Sequence, residues 1–204
     1  MNTYSTLKVS IASWLAQSNI SSGDTVVDDF LDMAEAEVNR RLRVRFMESA
    51  TSLTASSITV ALPADYMGLR GVYLDGSPQR SMEYHTPEQL NSIANTAGQP
   101  YAFTIRGENM VLQAEPDSTY TIQVHYYAKP TALSVSNETN WITNNYPQTY
   151  LHGALKYAAQ YVSDDAALAK WSAMFDKDLA DIEATDDFEK YGPAPRMKSE
   201  TSKW

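Results

Sequence analysis

The chain has no cysteine, which removes two architectures at once: a disulfide framework and a thiolate zinc centre. Histidine is almost as scarce. His85, His125 and His152 are the three copies, and no two have the helical i, i+4 spacing of a zinc protease. Each reads as a packing or surface histidine, and no Gly-x-Ser-x-Gly elbow supports a triad built from distant residues. The chain also lacks a G-x-x-x-x-G-K-[ST] loop and a G-x-G-x-x-G fingerprint, so nucleotide chemistry has no cradle. The acid pairs Asp28-Asp29, Asp164-Asp165 and Asp186-Asp187 match no calcium loop; two of them fall where helix N-termini favour negative charge. No cofactor and no metal is expected, and no enzymatic role.

Positive charge is in deficit. The formal net charge is −9, the opposite of what a protein that wraps nucleic acid carries on its binding face. Apolar runs are short and no basic-then-apolar leader opens the chain, so neither a membrane span nor a signal peptide is expected, and synthesis in a cytoplasm is.

What remains is an ordinary globular composition, 43% apolar and 20% charged over 204 residues, enough for one core or one core with a small appended module. Tyrosine is the exception. Thirteen copies stand against 5 phenylalanines, and an aromatic with one wet end suits protein interfaces as well as cores.

In chain order, Tyr4, Leu7, Ile11, Trp14 and Leu15 recur at helical spacing. Asp24 stands as an N-cap before a second stripe of Val27, Phe30, Leu31, Ala34, Val38 and Leu42. Asp28, Asp29 and Asp32 lie towards the positive end of that helix, and Arg40, Arg41, Arg43 and Arg45 gather at its negative end. Dipole complementation accounts for this basic patch, and a subunit-interface role is compatible with it. From Phe46 the helical period gives way to strand-like runs: Glu48–Leu53, Ser57–Leu62, Met67–Leu74, Gln79–Tyr84, Tyr101–Arg106, Met110–Ala114 and Thr119–Ala128. Asp75-Gly76 and Gly107-Glu108-Asn109 mark hairpins. In the last run Ile122, Val124 and Tyr126 alternate with Gln123, His125 and Tyr127, so one face is buried and the other is wet or covered by a neighbour. Thr86-Pro87-Glu88 starts a short helix with Leu90 and Ile93 as its contacts.

The stretch Thr139–Tyr161, TNWITNNYPQTYLHGALKYAAQY, is the one around which the rest is organised. A polar turn carrying Trp141 leads to Pro147, placed where a first helical turn tolerates proline. Leu151, Ala154, Leu155, Ala158 and Val162 then share a face. After Asp164-Asp165 a last helix carries Leu168, Trp171, Phe175, Leu179 and Ile182. Trp14, Trp141 and Trp171 read as core or near-core anchors. From Asp186 the period is lost and Gly192, Pro193 and Pro195 follow closely, which predicts an extended arm, either disordered or ordered only against a partner. Its aromatic end, Trp204, reads either as a hook into a partner's pocket or as a free terminus. The predicted class is therefore α+β: an antiparallel helical bundle from residues 1–45 and 136–185, an inserted antiparallel β domain at 46–135, and an arm at 186–204.

The order of LPADYMGLRGVYLDGSP, GQPYAFTIRGENMVLQAEPDSTYTIQVHYYAKPTALS and NWITNNYPQTYLHGALKYAAQYVSDDAALAKWSAMFDKDL resembles the head-to-tail adaptor (connector) proteins of short-tailed bacteriophages, including the tail tubular A type. The resemblance covers roughly residues 1–185 and rests on the order of these pieces, not on a catalytic motif. It implies a virion structural protein at the head–tail junction. Such proteins form a ring, matching the portal's twelve-fold symmetry, between the portal protein and the tail components, and DNA leaves through the lumen without sequence-specific binding. An acidic lumen would let DNA slide, and the same repeated charge implies that salt or the portal helps the ring assemble. In that setting Tyr191, Arg196, Met197 and Trp204 are the expected portal-binding residues of the arm, because Tyr, Arg, Met and Trp concentrate interface energy. Two alternatives stay open: another tail-completion or gatekeeper ring protein, and an enzyme or a carbohydrate-binding module built on the tyrosine-rich insert.

Overall fold

The computed structural model describes residues 2–15, 20–93 and 96–191. The chain is α+β and divides into two compact units, Met1–Phe46 with Pro130–Trp204, and Met47–Lys129.

The first unit is helical. α1 (Tyr4–Leu15) buries Leu7 and Ile11, and the Tyr4 hydroxyl donates to Asp28 Oδ1 at 2.6 Å beside the Lys8 ammonium at 2.5 Å. That ties it to α2 (Thr25–Arg41), whose apolar stripe Val27, Phe30, Leu31, Ala34 and Val38 is buried as the period requires. Asp24 takes the N-cap position with extended backbone, but its side chain makes no cap bond and accepts from Ser21 N instead. The polar turn expected around Trp141 is a short helix, α4 (Trp141–Asn145). Asn140 accepts from the N–H groups of Ile142 and Thr143 while Thr143 Oγ1 accepts from Asn140 N, a reciprocal cap that satisfies orphan donors.

α5 (Pro147–Tyr161) starts on its proline and buries Leu151, Ala154, Leu155 and Ala158. Gly153 sets how closely its neighbours approach: a Cβ there would lie 2.9 Å from Ala34 Cβ and 3.0 Å from the Phe175 ring. A tight turn with Ser163 at φ 57° reverses the chain into α6 (Asp165–Tyr191), where Phe175, Leu179 and Ile182 are buried.

Two expected boundaries move. α6 runs on to Tyr191 instead of ending before Asp186, and the buried Asp186 carboxylate accepts from Arg45 N at 2.9 Å. Asp-Asp-Phe-Glu-Lys-Tyr has nothing in it that breaks a helix; Gly192-Pro193 does. The segment 130–135 groups with the helices, not with the β insert, because Leu133 is buried and donates its N–H to Glu35 at 2.9 Å.

The second unit holds two four-stranded sheets. The first is ordered β1 (Glu48–Ala55), β8 (Tyr120–Ala128), β3 (Tyr66–Leu74) and β4 (Arg80–Ser81); the second is ordered β2 (Thr59–Ala61), β7 (Asn109–Leu112), β6 (Ala102–Arg106) and β5 (Glu83–Tyr84). Ile122, Val124 and Tyr126 point into a shared core with Val72, Leu74, Phe103, Met110 and Leu112. Both hairpins form. Gly107 has φ +61° at the first position of a two-residue loop, where mirror-image hairpin turns need glycine. The Asp75-Gly76 hairpin is longer, with Leu74 paired to Arg80 across a loop that contains a cis Ser77-Pro78 bond. One pairing departs from the expected antiparallel pattern: β5 and β6 are parallel. They are joined through α3 (Pro87–Ser92), and a crossover carrying a helix delivers the second strand in the same direction as the first.

Candidate functional site

The chemistry of the helical unit is concentrated in ion pairs between its own helices. Glu37, 8% exposed at its side chain, accepts from Lys156 Nζ at 2.6 Å and Tyr157 OH at 2.8 Å, with Arg41 Nη1 at 3.4 Å. Burial alone would push its pKa up, but the bonds from Lys156 and Tyr157 outweigh that and hold the carboxyl below its ordinary value. The Tyr157 hydroxyl is pushed up to about 12 by burial and by Glu37. Asp28 follows the same logic: burial raises it, and Lys8 and Tyr4 lower it further, while Tyr4 moves up to about 12. A base held ionised in a salt bridge and a phenol held neutral are structural roles. Neither is poised near neutral pH as general acid–base work requires.

The arginine cluster is split by the fold. Arg41 is committed to its own chain, paired with Asp176 at 2.5 Å. Arg43 donates to the carbonyls of Asn39 and Leu42 at the end of α2, which is where a cation complements the dipole. Arg45 lies over the Phe46 ring at 5.7 Å. Arg40 is exposed.

The histidines are dispersed. His152 Nδ1 is 2.7 Å from Asp178 Oδ2, and its ring stacks on Trp171. His125 meets the Tyr73 ring, and His85 lies 3.4 Å from Glu83. Among the described residues no group of three or more His, Asp or Glu converges as metal ligands would. A cleft of about 380 Å³ beside α3 is lined by Ile58, Leu90, Val111 and Leu112, and the one charged lining group, Arg106, donates to Asn91 Oδ1 at 2.9 Å. That cleft presents no nucleophile beside a base. No described helix is long and apolar enough to cross a membrane.

The helical unit instead exposes large apolar side chains. Trp14, expected as an anchor of the core, is 51% exposed and meets the Trp171 ring at 5.7 Å. Trp141 is half-buried and stacks on Phe46 at 5.5 Å. Met33, Phe46, Tyr161 and Phe188 are also exposed, Phe188 by 78%. Sequence reasoning missed these because an apolar residue off the buried stripe has no period of its own. Tyr191 ends α6, and Arg196, Met197 and Trp204 lie outside the described residues.

On the β unit, the outward face of the first sheet carries Tyr127, His125, Gln123 and Tyr73. The Arg70 guanidinium sits over the Tyr127 ring at 5.5 Å and pairs with Glu48 at 3.0 Å. Aromatic residues and arginine are enriched where protein partners meet.

Compared with known protein families, residues 2–197 match the SU10 adaptor protein family. None of the curated proteins matches the chain.

Proposed function

The chain belongs to the SU10 adaptor protein family of phage head–tail adaptors, and from that premise we propose that it forms a homo-oligomeric ring joining the portal vertex to the tail and lining the channel through which DNA leaves. The observation that carries this reading is the reach of the family match. It spans residues 2–197 and so takes in both the helical unit and the β insert.

As an adaptor it is a structural part of the virion and associates with other head–tail proteins. The finer assignments are ours. The helical units form the wall of the ring, with Arg40 and the exposed aromatics among the contacts between copies. Arg41 and Arg43 serve their own chain. Twelve copies match the portal's symmetry. The β insert faces the tail components. The last residue of α6, Tyr191, and the segment after it dock on the portal, with Arg196, Met197 and Trp204 as the other contacts. Net charge of −9 per subunit keeps DNA from sticking to the lumen and opposes assembly at low salt, so the portal templates the ring.

Electron microscopy of this protein mixed with the portal protein of the same phage tests the proposal. An added ring layer with the portal's symmetry is expected. A bare portal beside a folded, monomeric adaptor at physiological salt refutes it.

A further inference from the structure

The first sheet of the β unit has a margin that no described strand covers. β1 pairs with β8 through eight uninterrupted positions, Glu48↔Tyr127 to Ala55↔Tyr120, and the sheet order leaves its other side free. The remaining marginal strands are short, with two residues in β4, two in β5 and three in β2. Exposed edges are normally blunted by lysine, proline, a bulge or shortness. β1 has none of these: its sequence is ESATSLTA, charged only at Glu48, and Ala50, Ser52 and Thr54 are small and exposed. The opposite margin of the same sheet is also incomplete. β4 pairs only with Tyr73 and Leu74, so Tyr66–Arg70 of β3 has no strand on that side among the described residues.

We propose that β1 of one copy pairs with the Tyr66–Arg70 stretch of β3 in the next, so that the sheet runs on from subunit to subunit. This deepens the ring reading and rests on it. A head-to-tail ring requires two different surfaces on each copy, and the two margins of one sheet are such a pair. β1 and β3 are each antiparallel to β8 and therefore run in the same direction. Neighbours in a ring of many copies differ by a small rotation, so the new pairing is parallel. β3 shifts register against β8 between Tyr66 and Gly68 and between Leu69 and Gly71, so the new pairing engages only part of its outward backbone, and the small residues of β1 leave room beside Met67, Leu69 and Arg70. Pairing with the next copy covers much of the open edge of β1, which accounts for the lack of blunting residues along it.

Hydrogen exchange read by mass spectrometry on the full chain, free and in the portal-bound ring, tests the pairing. Peptides covering 48–55 and 66–71 are expected to slow by about tenfold or more on assembly, because outward amides acquire partners. Peptides covering β8, already paired on both sides, should not change. Rings that assemble with both margins exchanging as in the free chain overturn this inference and leave the ring reading standing. Protection of 48–55 that appears only when tail proteins are added assigns the edge to a tail strand and also overturns it. Absence of any ring overturns both. A double variant, Ala50→Lys with Ser52→Lys, provides a second measurement. Its melting temperature as a free subunit should match the parent, and its yield of portal-bound rings should fall about tenfold or more; unchanged yield refutes the proposal.

Discussion

Replacing Gly153 by alanine tests the tightest crossing in the helical unit. In an exposed helix interior the change would stabilise by about 1 kcal/mol, since glycine has more backbone freedom to lose. Here the new methyl would stand 2.9 Å from Ala34 Cβ and 3.0–3.3 Å from two atoms of the Phe175 ring. Carbon atoms rest at about 3.5–4.0 Å, so α2 and the α6 ring must both retreat by several tenths of an ångström. Ala34 Cβ is fixed to its backbone and cannot swing aside, and Phe175 is fully buried among neighbours. Overpacking of this kind costs about 1–3 kcal/mol. With the propensity gain set against the upper part of that range, Gly153→Ala should destabilise by about 1–2 kcal/mol, a fall in Tm of about 3–8 °C for a unit of this size. Thermal unfolding followed by helical circular dichroism measures it. Adding Ala34→Gly in a double-mutant cycle should show favourable coupling, because it removes the 2.9 Å contact. A Gly153→Ala variant as stable as the parent or more so would refute the close crossing.

Glu37→Ala should destabilise by about 2–3 kcal/mol in chemical denaturation, less than a fully buried pair would lose because Lys156 retains some contact with water. A loss below about 0.5 kcal/mol would mean that Lys156 and Tyr157 find equivalent partners. Stability should also fall at both ends of the pH scale. Glu37 and Asp28 have folded pKa values below their ordinary ones, so their contribution is complete above the ordinary carboxylate range and is lost as pH drops through the lowered values. Tyr4 and Tyr157 have theirs raised from 10.0 to about 12, so their contribution is complete below pH 10 and is lost as pH rises towards 12. Tm against pH should bend down at both limits, and Tyr157→Phe should flatten the alkaline bend; an unchanged bend would remove Tyr157 from the account. Deleting residues 192–204 should leave the Tm of the subunit unchanged and weaken portal binding by about tenfold or more; equal binding by the truncated chain would discard the docking role of that segment.

Elements with a strong period were legible before any coordinates. Leu151, Ala154, Leu155 and Ala158 fall on one face whatever the rest of the chain does, and the alternation from Ile122 to Tyr126 fixes which side of β8 meets the core. The turn chemistry of Gly107 was equally local. What failed depended on residues distant in sequence. Glu37 meets Lys156 across 119 positions, and nothing in either helix announces the other. Asp186 looked like the start of an arm because its value to the helix lies in the Arg45 amide, 141 positions away. The parallel pairing of β5 with β6 was invisible for a related reason: two-residue strands carry no period, and the direction comes from the crossover through α3.

The candidate contact surfaces were the least legible, and α6 shows why. Its buried stripe, with Phe175, Leu179 and Ile182, satisfies the period so well that the remaining apolar residues pass as scatter. Met174 and Phe188 are exposed, yet at about 100° per residue, fourteen positions return them to within about 40° of one another, so they share a second face. Asp181 and Thr185 lie on that face between them. A face with isolated apolar anchors in polar surroundings is too polar to be the core of a single subunit and too apolar at its anchors to be idle surface. It has the composition of a contact formed by subunits that have already folded. On the proposed reading, in which folded subunits are gathered by the portal, the surfaces that meet partners cannot be written into the same stripe that holds the fold.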